Sequence, residues 1–338
     1  MPATRPAVSV LLPVRDGGDL LHEALDSLVA QSFDDFEVVV VDDGSTDDTA
    51  AVLSNWARRD PRVRIIRQEA AGIVAALERA RAAARGRYLA RMDADDIAHV
   101  RRLEAQFSFM EARPDVAACG CQIEYFPAEA VRDGARRYES WLNGAVTADE
   151  IAAAIFVECP IAHPTFFMRA QAVERVGGYR DEGWPEDYDL ILRLWAAGHR
   201  LGKVPEVLLR WRERPGRLSR IHPRYTPQAF LDCKVHHLRR TLLSGDREAI
   251  IWGAGPVGKA LSRALTAAGT RVVAFVELDP RKIGQEIHGA EVLDTPSGLE
   301  RRGPLHLAAV GQIGARNRLV RLLREAGWVE LEDFVAVA

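Results

Sequence analysis

Short apolar runs alternate with helix-like segments in the first hundred residues, and this alternation restricts the fold more than any other feature of the sequence. The runs VSVLL, FEVVVV, VRIIR and YLARM are typical of buried strands. After the first run, apolar residues recur at helical spacing at Leu21, Ala24, Leu25 and Leu28. Strands and helices that alternate in this way predict an α/β fold with a largely parallel sheet.

Acidic residues follow two of these predicted strands. Asp42 and Asp43 end the second strand, and Asp93, Asp95 and Asp96 follow the fourth. Open α/β sheets bind ligands at the carboxyl ends of their strands, so these residues are predicted to lie at a ligand site. Carboxylates packed this closely repel one another unless water or a cation lies among them.

The D-x-D spacing of Asp93 and Asp95 favours a metal site. In an extended segment two such side chains share one face. They suit Mg²⁺ or Mn²⁺, hard cations that take one or two protein carboxylates and complete their coordination with water and substrate phosphate. The alternative is a solvated acidic turn before a helix that begins near His99, with Asp96 as its cap.

Four motifs occur in order in the first 240 residues: VSVLLPVRDGG, VVVVDDGSTDDT, RMDADD and WPEDYDLILRLWAAG. They resemble the opening strand, the nucleotide-binding second strand, the metal-binding D-x-D and the catalytic acidic motif of the family 2 glycosyltransferases, which are inverting enzymes of GT-A fold. The resemblance implies a nucleotide-sugar donor, usually a UDP-sugar. It also implies a carbohydrate or lipid-linked acceptor in the synthesis of cell-surface polysaccharide or glycoconjugate.

The resemblance assigns roles to individual residues. It makes Asp187 the base that takes the proton from the acceptor hydroxyl as that hydroxyl attacks the anomeric carbon. It makes Asp95 and Asp93 the residues of the Mg²⁺ or Mn²⁺ site, where the cation on Asp95 neutralises the departing diphosphate and Asp93 faces either the ribose or, through water, the metal. A helix cap is the alternative for Asp187, and a structural histidine is the alternative for His163. The residues implied in donor binding, with the uracil between the ends of the first two strands, are Pro13, Val14, Arg15, Asp43, Asp93, Asp95, His163 and Glu186.

Two positions depart from the family pattern. Glu78 stands where the family often has Asn, and Arg214 stands where it often has a His after the base. Between residues 210 and 240, nine Lys or Arg stand against two acidic residues, which predicts a basic arm or edge. Its arginines could clamp the diphosphate, bind an anionic acceptor, remain solvated or contact anionic membrane lipid.

A second β-α-β pattern begins after Gly245, so a second domain is predicted at residues 246–338, after a first domain at residues 1–240. Its GAGPVG motif has the G-x-G-x-x-G spacing of a dinucleotide-binding loop. The segment FVELDPRKIGQEIHGAEVL also resembles the Rossmann-like domain that precedes some bacterial sugar acyltransferases, whose ligand need not be a dinucleotide. A role without a bound ligand is the other alternative. The residues of the predicted ligand site are Gly253, Gly255, Gly258 and Glu277.

Charge, cysteine content and the first apolar run limit the functions and locations expected for the chain. The net charge of -3 gives no global reason to expect nucleic acid binding. The four cysteines lack zinc-finger spacing and are expected to be buried thiols in a reducing cytosol. The first apolar run is too short for a signal sequence or a membrane span, so a cytoplasmic protein is expected. Peripheral contact with the inner face of the membrane, through residues 210–240, is an alternative.

The sequence therefore predicts an α/β enzyme with a GT-A nucleotide-diphospho-sugar transferase domain and a smaller Rossmann-like α/β domain. Its predicted reaction is metal-dependent transfer of a hexosyl group with inversion. The alternative from another class is an NAD-dependent oxidoreductase that modifies nucleotide sugars, with NAD in the second domain. Neither the sugar nor the acceptor can be read from the sequence.

Overall fold

The computed structural model describes residues 5–312 and 314–338. The chain divides into two compact units. The first unit consists of Met1–Ile151, Pro160–Glu182 and Asp189–Ile221. The second unit consists of Ala152–Cys159, Gly183–Tyr188 and His222–Ala338. The boundary between independently folding domains at residues 240–246 stays a prediction.

The first unit contains a mixed sheet of eight strands. They are β1 (Val8–Val14), β2 (Phe36–Asp43), β3 (Val63–Gln68), β4 (Tyr88–Arg91), β5 (Ile97–Ala98), β6 (Val116–Phe126), β7 (Phe167–Arg169) and β8 (Arg200–Arg212). Their spatial order is β3-β2-β1-β4-β7-β6-β8-β5. The neighbours from β3 to β4 are parallel, as the alternating sequence pattern predicts. β7 is antiparallel to both β4 and β6, so the sheet as a whole is mixed.

Helices connect these strands. A helix packs on the sheet when apolar residues recur on one of its faces, because that face can then be buried. In α1, for example, Leu21, Leu25 and Leu28 are buried against β1 and β2, and each such leucine stabilises the fold by about 1.5–3 kcal/mol. α8 begins in the second unit and ends in the first. The first nine helices are α1 (Leu20–Val29), α2 (Thr49–Arg59), α3 (Ile73–Ala83), α4 (Arg102–Glu111), α5 (Asp133–Gly144), α6 (Ala148–Ala154), α7 (Ala170–Arg175), α8 (Glu186–Ala196) and α9 (Leu218–Ile221).

The second unit contains a six-stranded sheet. Its strands are β9 (Ala249–Trp252), β10 (Val272–Val276), β11 (Glu286–Ile287), β12 (Ala290–Leu293), β13 (Leu305–Ala308) and β14 (Phe334–Ala336), in the order β11-β12-β10-β9-β13-β14. All pairs are parallel except β11 with β12. Its helices are α10 (Pro227–Arg240), α11 (Pro256–Ala267), α12 (Thr295–Glu300) and α13 (Ala315–Glu325). The second β-α-β pattern therefore forms a mostly parallel α/β sheet.

The basic segment from residue 210 to 240 differs from its prediction. Its first residues belong to β8, which lies between β6 and β5. Its last residues form α10, which buries Cys233, Val235 and Leu238. The prediction of an arm or edge is wrong for α10, because apolar residues between the charged ones give this helix a buried face.

Two other features concern the cysteines and the lengths of the helices. The four cysteines are free and buried, which confirms the prediction of buried thiols. Across the described ranges, no helix is both long enough and apolar enough to cross a membrane.

Candidate functional site

Three carboxylates lie together just beyond the end of β4. One oxygen from each of Asp93, Asp95 and Asp96 lies within 4.8 Å of the other two. Asp96 is buried, whereas Asp93 and Asp95 are partly exposed. Asp96 is not a helix cap, because α4 begins only at Arg102.

Arg91, the last residue of β4, is the buried counter-charge of Asp93. Its Nη2 lies 2.5 Å from Oδ1 of Asp93. Burial alone would lower the pKa of Arg91, but the adjacent Asp93 carboxylate raises it, so the guanidinium stays charged. Among the residues that the structure describes, Nε and Nη1 of Arg91 have no hydrogen-bond partner. Two nitrogens of this buried group, with three N–H donors between them, are therefore unused by the described residues.

The end of β8 and the residues after it supply further donors to the same carboxylates. Nε of Arg214 donates to Oδ2 of Asp95 at 2.7 Å, and the backbone N–H of Arg212 donates to Oδ1 of Asp96 at 2.9 Å. Oδ2 of Asp96 is buried and has no hydrogen-bond partner in the described part of the chain. Burial, and then the charges of Asp93 and Asp95, raise the pKa of Asp96 well above its ordinary value of 3.8.

This set of side chains fits a small divalent cation. It offers only carboxylate oxygens, the ligands that Mg²⁺ and Mn²⁺ prefer. One buried oxygen, Oδ2 of Asp96, is an acceptor for which the protein supplies no donor within the described residues. Asp93 and Asp95 are the members exposed to solvent, so a cation bound to them would keep positions for water and phosphate.

The loops after β1 and β2 meet at the carboxyl ends of these strands, and β1 is the neighbour of β4 in the sheet. Val14 pairs with Asp42, so the two strands end side by side. The backbone N–H of Asp16 donates to Oγ of Ser45 at 2.9 Å, which joins the loops. Within this region Pro13 and Val14 are buried in β1, whereas the side chain of Arg15 is exposed.

Asp43 is buried at the end of β2 and holds the loop that follows β3. Its carboxylate accepts hydrogen bonds from Nε2 of Gln68 at 2.7 Å and from the backbone N–H groups of Ala71 and Gly72, both at 2.8 Å. A carboxylate has about four acceptor positions, so three donors leave about one for a ligand. Asp43 is therefore a structural anchor of this loop.

His163 is a buried residue near Arg91. Its Nε2 lies 3.1 Å from the hydroxyl of Tyr179. Burial, and then the charge of Arg91, lower the pKa of His163 well below 6.5, so the ring is neutral at pH 7. The backbone N–H of Tyr179 donates to Oε1 of Glu78 at 2.6 Å. A Cβ on Gly178, at φ +64°, would lie 2.4 Å from this same oxygen. Glu78, which departs from the family pattern, thus holds the glycine turn.

Glu186 and Asp187 are the first two residues of α8 and lie in the second unit. Glu186 is buried and accepts hydrogen bonds from the hydroxyl of Tyr225 at 2.8 and 2.9 Å. Nη1 of Arg224 lies 3.6 Å from it. Asp187 is half-buried, and its Oδ1 accepts the backbone N–H of Tyr188 at 2.8 Å. Asp187 therefore has the more exposed carboxylate of the two.

The glycines of the GAGPVG motif lie between β9 and α11. Gly253 has φ +107°, a conformation that favours glycine. A Cβ on Gly258 would lie 1.9 Å from the carbonyl oxygen of Gly253, whereas a Cβ on Gly255 would point into open space. Gly258 is therefore required for close packing of the helix on the loop, whether or not a ligand binds.

Glu277, just after β10, contacts the same loop. Its Oε2 accepts the backbone N–H of Ala254 at 3.1 Å and the Nζ of Lys282 at 2.9 Å. Burial alone would raise the pKa of Glu277, but the hydrogen bond from Lys282 lowers it, so the carboxylate stays charged. Through its bond to Ala254, Glu277 holds the loop between β9 and α11 in place.

Sequence reasoning missed Arg91. The signal that could have revealed it is an arginine inside a short apolar strand, two residues before the D-x-D. A charge in such a strand is buried, and a buried charge needs a partner.

Comparisons with known proteins agree with this geometry. The family described as Glycosyl transferase family 2 matches residues 9–177. EpsE of Bacillus subtilis is 32% identical over 213 residues, which are 62% of this chain and 73% of EpsE. The amylovoran biosynthesis glycosyltransferase AmsE of Erwinia amylovora is 28% identical over 207 residues, 61% of this chain and 75% of AmsE.

Two solved structures share the fold. TarS 1–349 of S. aureus, in complex with UDP-GlcNAc, superposes with a TM-score of 0.55 at 18% identity, over 77% of this chain and 70% of that one. The mannosyltransferase PcManGT of Pyrobaculum calidifontis, in complex with GDP-Man and Mn²⁺, has a TM-score of 0.52 at 22% identity, over 78% of this chain and 70% of that one.

Proposed function

Because the chain belongs to glycosyl transferase family 2 and is therefore a glycosyltransferase, we propose that it transfers a hexosyl group, with inversion, from a UDP-sugar to a carbohydrate or lipid-linked acceptor. The observation that carries this proposal is the carboxylate cluster of Asp93, Asp95 and Asp96, beside the joined loops of β1 and β2. The name of AmsE supports a role in polysaccharide synthesis. The UDP-GlcNAc bound to TarS supports the choice of a UDP-sugar.

Asp93 and Asp95 are proposed to hold Mg²⁺ or Mn²⁺, and the Mn²⁺ in the PcManGT complex supports this choice. When bound, the cation supplies positive charge that stabilises the departing diphosphate. Arg91 orients Asp93 through their ion pair. Arg214 adds a guanidinium on Asp95, at a position from which it can also bind a phosphate oxygen.

Asp187 is proposed as the general base. It is half-buried and belongs to the first turn of α8, so the helix holds its carboxylate in a fixed place. Its task is to accept the proton of the acceptor hydroxyl as oxygen attacks the anomeric carbon from the face opposite the diphosphate. That geometry produces inversion.

The remaining donor contacts are assigned by position. Pro13, Val14, Arg15 and Asp43 are proposed to surround the nucleoside at the ends of β1 and β2. His163 and Glu186 are proposed to support the donor from buried positions, where each is already in contact with a tyrosine hydroxyl. Residues 210–240 are proposed to help a lipid-linked acceptor through contact with anionic membrane lipid.

The proposed domains are a GT-A domain at residues 1–240 and a Rossmann-like domain at residues 246–338. The mostly parallel sheet of the second unit and its GAGPVG loop support a Rossmann-like assignment. Gly253, Gly255, Gly258 and Glu277 remain its proposed ligand site. The comparisons give no support to the oxidoreductase alternative.

The proposal is tested by incubating the full chain with UDP-sugars, Mn²⁺ and candidate acceptors, and by following free UDP and nicotinamide absorbance in parallel. The expected result is release of UDP that requires both the acceptor and the cation. Turnover of NADH without release of UDP would contradict the proposal and favour the oxidoreductase.

A further inference from the structure

A large cleft opens in the first unit on the other side of the carboxylate cluster from the nucleoside loops. Its volume is about 800 Å³, within the usual range for small-molecule sites. It lies between the end of β6, the start of α5 and the segment after β8. The side chains used below are Tyr125, Arg132, Tyr138, Glu213, Arg214 and Arg220.

The strand order shows which substrate this cleft suits. β1 and β2 lie on one side of β4, and β6 and β8 lie on the other. The proposed nucleoside site is at the ends of β1 and β2, so the cleft is on the opposite side of the D-x-D. Arg214 connects the two regions, because it lines the cleft and donates to Asp95 at 2.7 Å. A molecule in the cleft therefore approaches the cluster from the side opposite the proposed nucleoside site.

Aromatic rings form part of the wall. Tyr125 is buried and stacks on Trp211, with ring centroids 5.1 Å apart and an interplanar angle of 11°. The guanidinium of Arg217 lies 4.4 Å from the centre of the Trp211 ring, which fixes this stack further. Tyr138 contributes a second ring from α5. Rigid aromatic faces give apolar contact area with a polar edge, which suits the mixed surface of a sugar.

Arg132 is the guanidinium of the cleft that is available to an acid group. Three guanidinium groups, from Arg132, Arg214 and Arg220, line the cleft together with two carboxylates. Glu213 is paired with Arg220 at 2.7 Å and with Arg217 at 3.2 Å, and Arg214 is paired with Asp95 at 2.7 Å. The other carboxylate, that of Glu129, is exposed. Arg132 is exposed and forms no ion pair with any described residue. Guanidinium binds carboxylate and phosphate with two parallel hydrogen bonds, so Arg132 can bind an acid group.

We infer that this cleft is the acceptor subsite and that the acceptor glycan carries an acid group, either a uronate carboxylate or a phosphate. This inference rests on the proposed glycosyltransferase reaction and adds the chemical class of its acceptor. Arg132 binds the acid group, Tyr125 and Tyr138 contact a sugar ring, and Arg214 separates the acceptor from the diphosphate.

The test is a titration of the full-length protein, saturated with UDP and Mn²⁺, followed by tryptophan fluorescence. Three disaccharide probes share one glucose backbone and differ in the acid group they carry: cellobiose has none, cellobiouronic acid has a carboxylate and cellobiose 1-phosphate has a phosphate. At least one acidic probe is expected to bind about tenfold more tightly than cellobiose, and which one binds identifies the acid group. Arg132→Ala is expected to remove about tenfold of that affinity. Arg137→Ala is the matched control, since Arg137 is an exposed arginine of α5, the helix that follows Arg132, and does not line the cleft.

The outcomes separate this inference from the proposed function. If the wild-type protein does not bind UDP with Mn²⁺, the proposed function fails. If it binds UDP but binds the three probes equally, or if Arg132→Ala and Arg137→Ala have equal effects, the acceptor subsite is overturned. Tyr138→Phe, which keeps the ring, is expected to retain probe binding, whereas Tyr138→Ala is expected to lose it. Equal retention by both would also contradict the assignment.

Discussion

At the scale of single residues, the site is a set of like charges that the protein neutralises only in part. Arg91 and Arg214 each pair with one carboxylate of the cluster, at 2.5 and 2.7 Å. Oδ2 of Asp96 stays without a hydrogen-bond partner among the residues described. A partly exposed carboxylate cluster with one oxygen left unpaired favours binding of a cation.

Asp95→Ala is expected to weaken Mn²⁺-dependent binding of UDP by about tenfold or more, and to leave binding of uridine almost unchanged. The physical reason is that uridine lacks the phosphates that the cation contacts. Calorimetry with both ligands measures the difference. Asp34→Ala is the control. Asp34 is exposed and lies just before the amino end of β2, at the end of the strands opposite to the carboxylate cluster. Equal losses for UDP and uridine would count against a metal role.

Asp187→Asn is expected to lower kcat by about 10²-fold or more while the fold and the Kd for UDP are retained. The amide has a similar shape but cannot accept the proton of the acceptor hydroxyl. Kinetics with a confirmed acceptor test this, with Asp149→Asn as the control because that side chain is 97% exposed. A kcat near that of the wild type would exclude Asp187 as the base.

At the scale of elements, one buried carboxylate ties the parallel strands together. Glu37 of β2 accepts hydrogen bonds from Oγ of Ser9 in β1 and from Nη1 of Arg64 in β3, both at 2.7 Å. It also accepts the backbone N–H of Arg85, just before β4, at 2.8 Å. The order of these four strands thus depends on a polar network as well as on apolar packing.

Glu37→Gln is expected to lower the free energy of unfolding by about 2 kcal/mol at pH 7. Burial alone would raise the pKa of Glu37, but hydrogen bonds from Arg85, Ser9 and Arg64 lower it below 4.5. Its stabilising effect is therefore complete above pH 4.5 and is lost as the pH falls through the lowered pKa.

Urea denaturation of both proteins at pH 7 and at several acidic pH values measures this effect. The difference between them is expected to shrink with acidification. Glu124→Gln, an exposed side chain, is the control and is expected to change stability little at any pH. A difference that stays constant down to acidic pH would show that the charge of Glu37 is not what stabilises the sheet.

The loop between β9 and α11 allows a matched comparison of two glycines. Gly258→Ala is expected to destabilise the protein by about 2 kcal/mol or more, because its Cβ would overlap the carbonyl oxygen of Gly253. Gly255→Ala is expected to change stability little, since its φ of -88° suits any residue and its Cβ meets open space. Thermal unfolding distinguishes the two variants. Equal stability would show that Gly258 does not serve packing.

At the scale of the whole molecule, the chain contains two sheets of different construction. The first is mixed, and it carries the carboxylate cluster and the cleft. The second is mostly parallel, with a glycine loop at the start of α11. The family match at residues 9–177 covers strands of the first sheet and none of the second.

A chain truncated after Ser244 is expected to keep measurable sugar transfer, because all eight strands of the first sheet and Asp187 precede that residue. The full chain is expected to show no NAD-dependent redox activity. Circular dichroism confirms folding, and assays of UDP release and nicotinamide absorbance measure the two activities. A folded but inactive truncated chain would make the second domain part of the catalytic unit. Nicotinamide turnover that Gly255→Val abolishes would favour the oxidoreductase.

The sequence by itself determined the α/β class, most of the strands and the place of the carboxylates at the end of β4. These features depend on local information, because apolar periodicity and a charged strand end are both visible within about ten residues. The C-terminal β-α-β pattern was predicted from the same kind of signal.

Only the tertiary structure decided which charges meet. Arg214 and Asp95 are 119 residues apart in sequence and 2.7 Å apart in space. The antiparallel insertion of β7 between β4 and β6 was equally invisible, and it is this strand order that separates the loops after β1 and β2 from the cleft. Pairings of this kind depend on how strands that are distant in sequence are ordered in the sheet. The alternation of apolar and polar residues within one strand does not show which strands lie beside it.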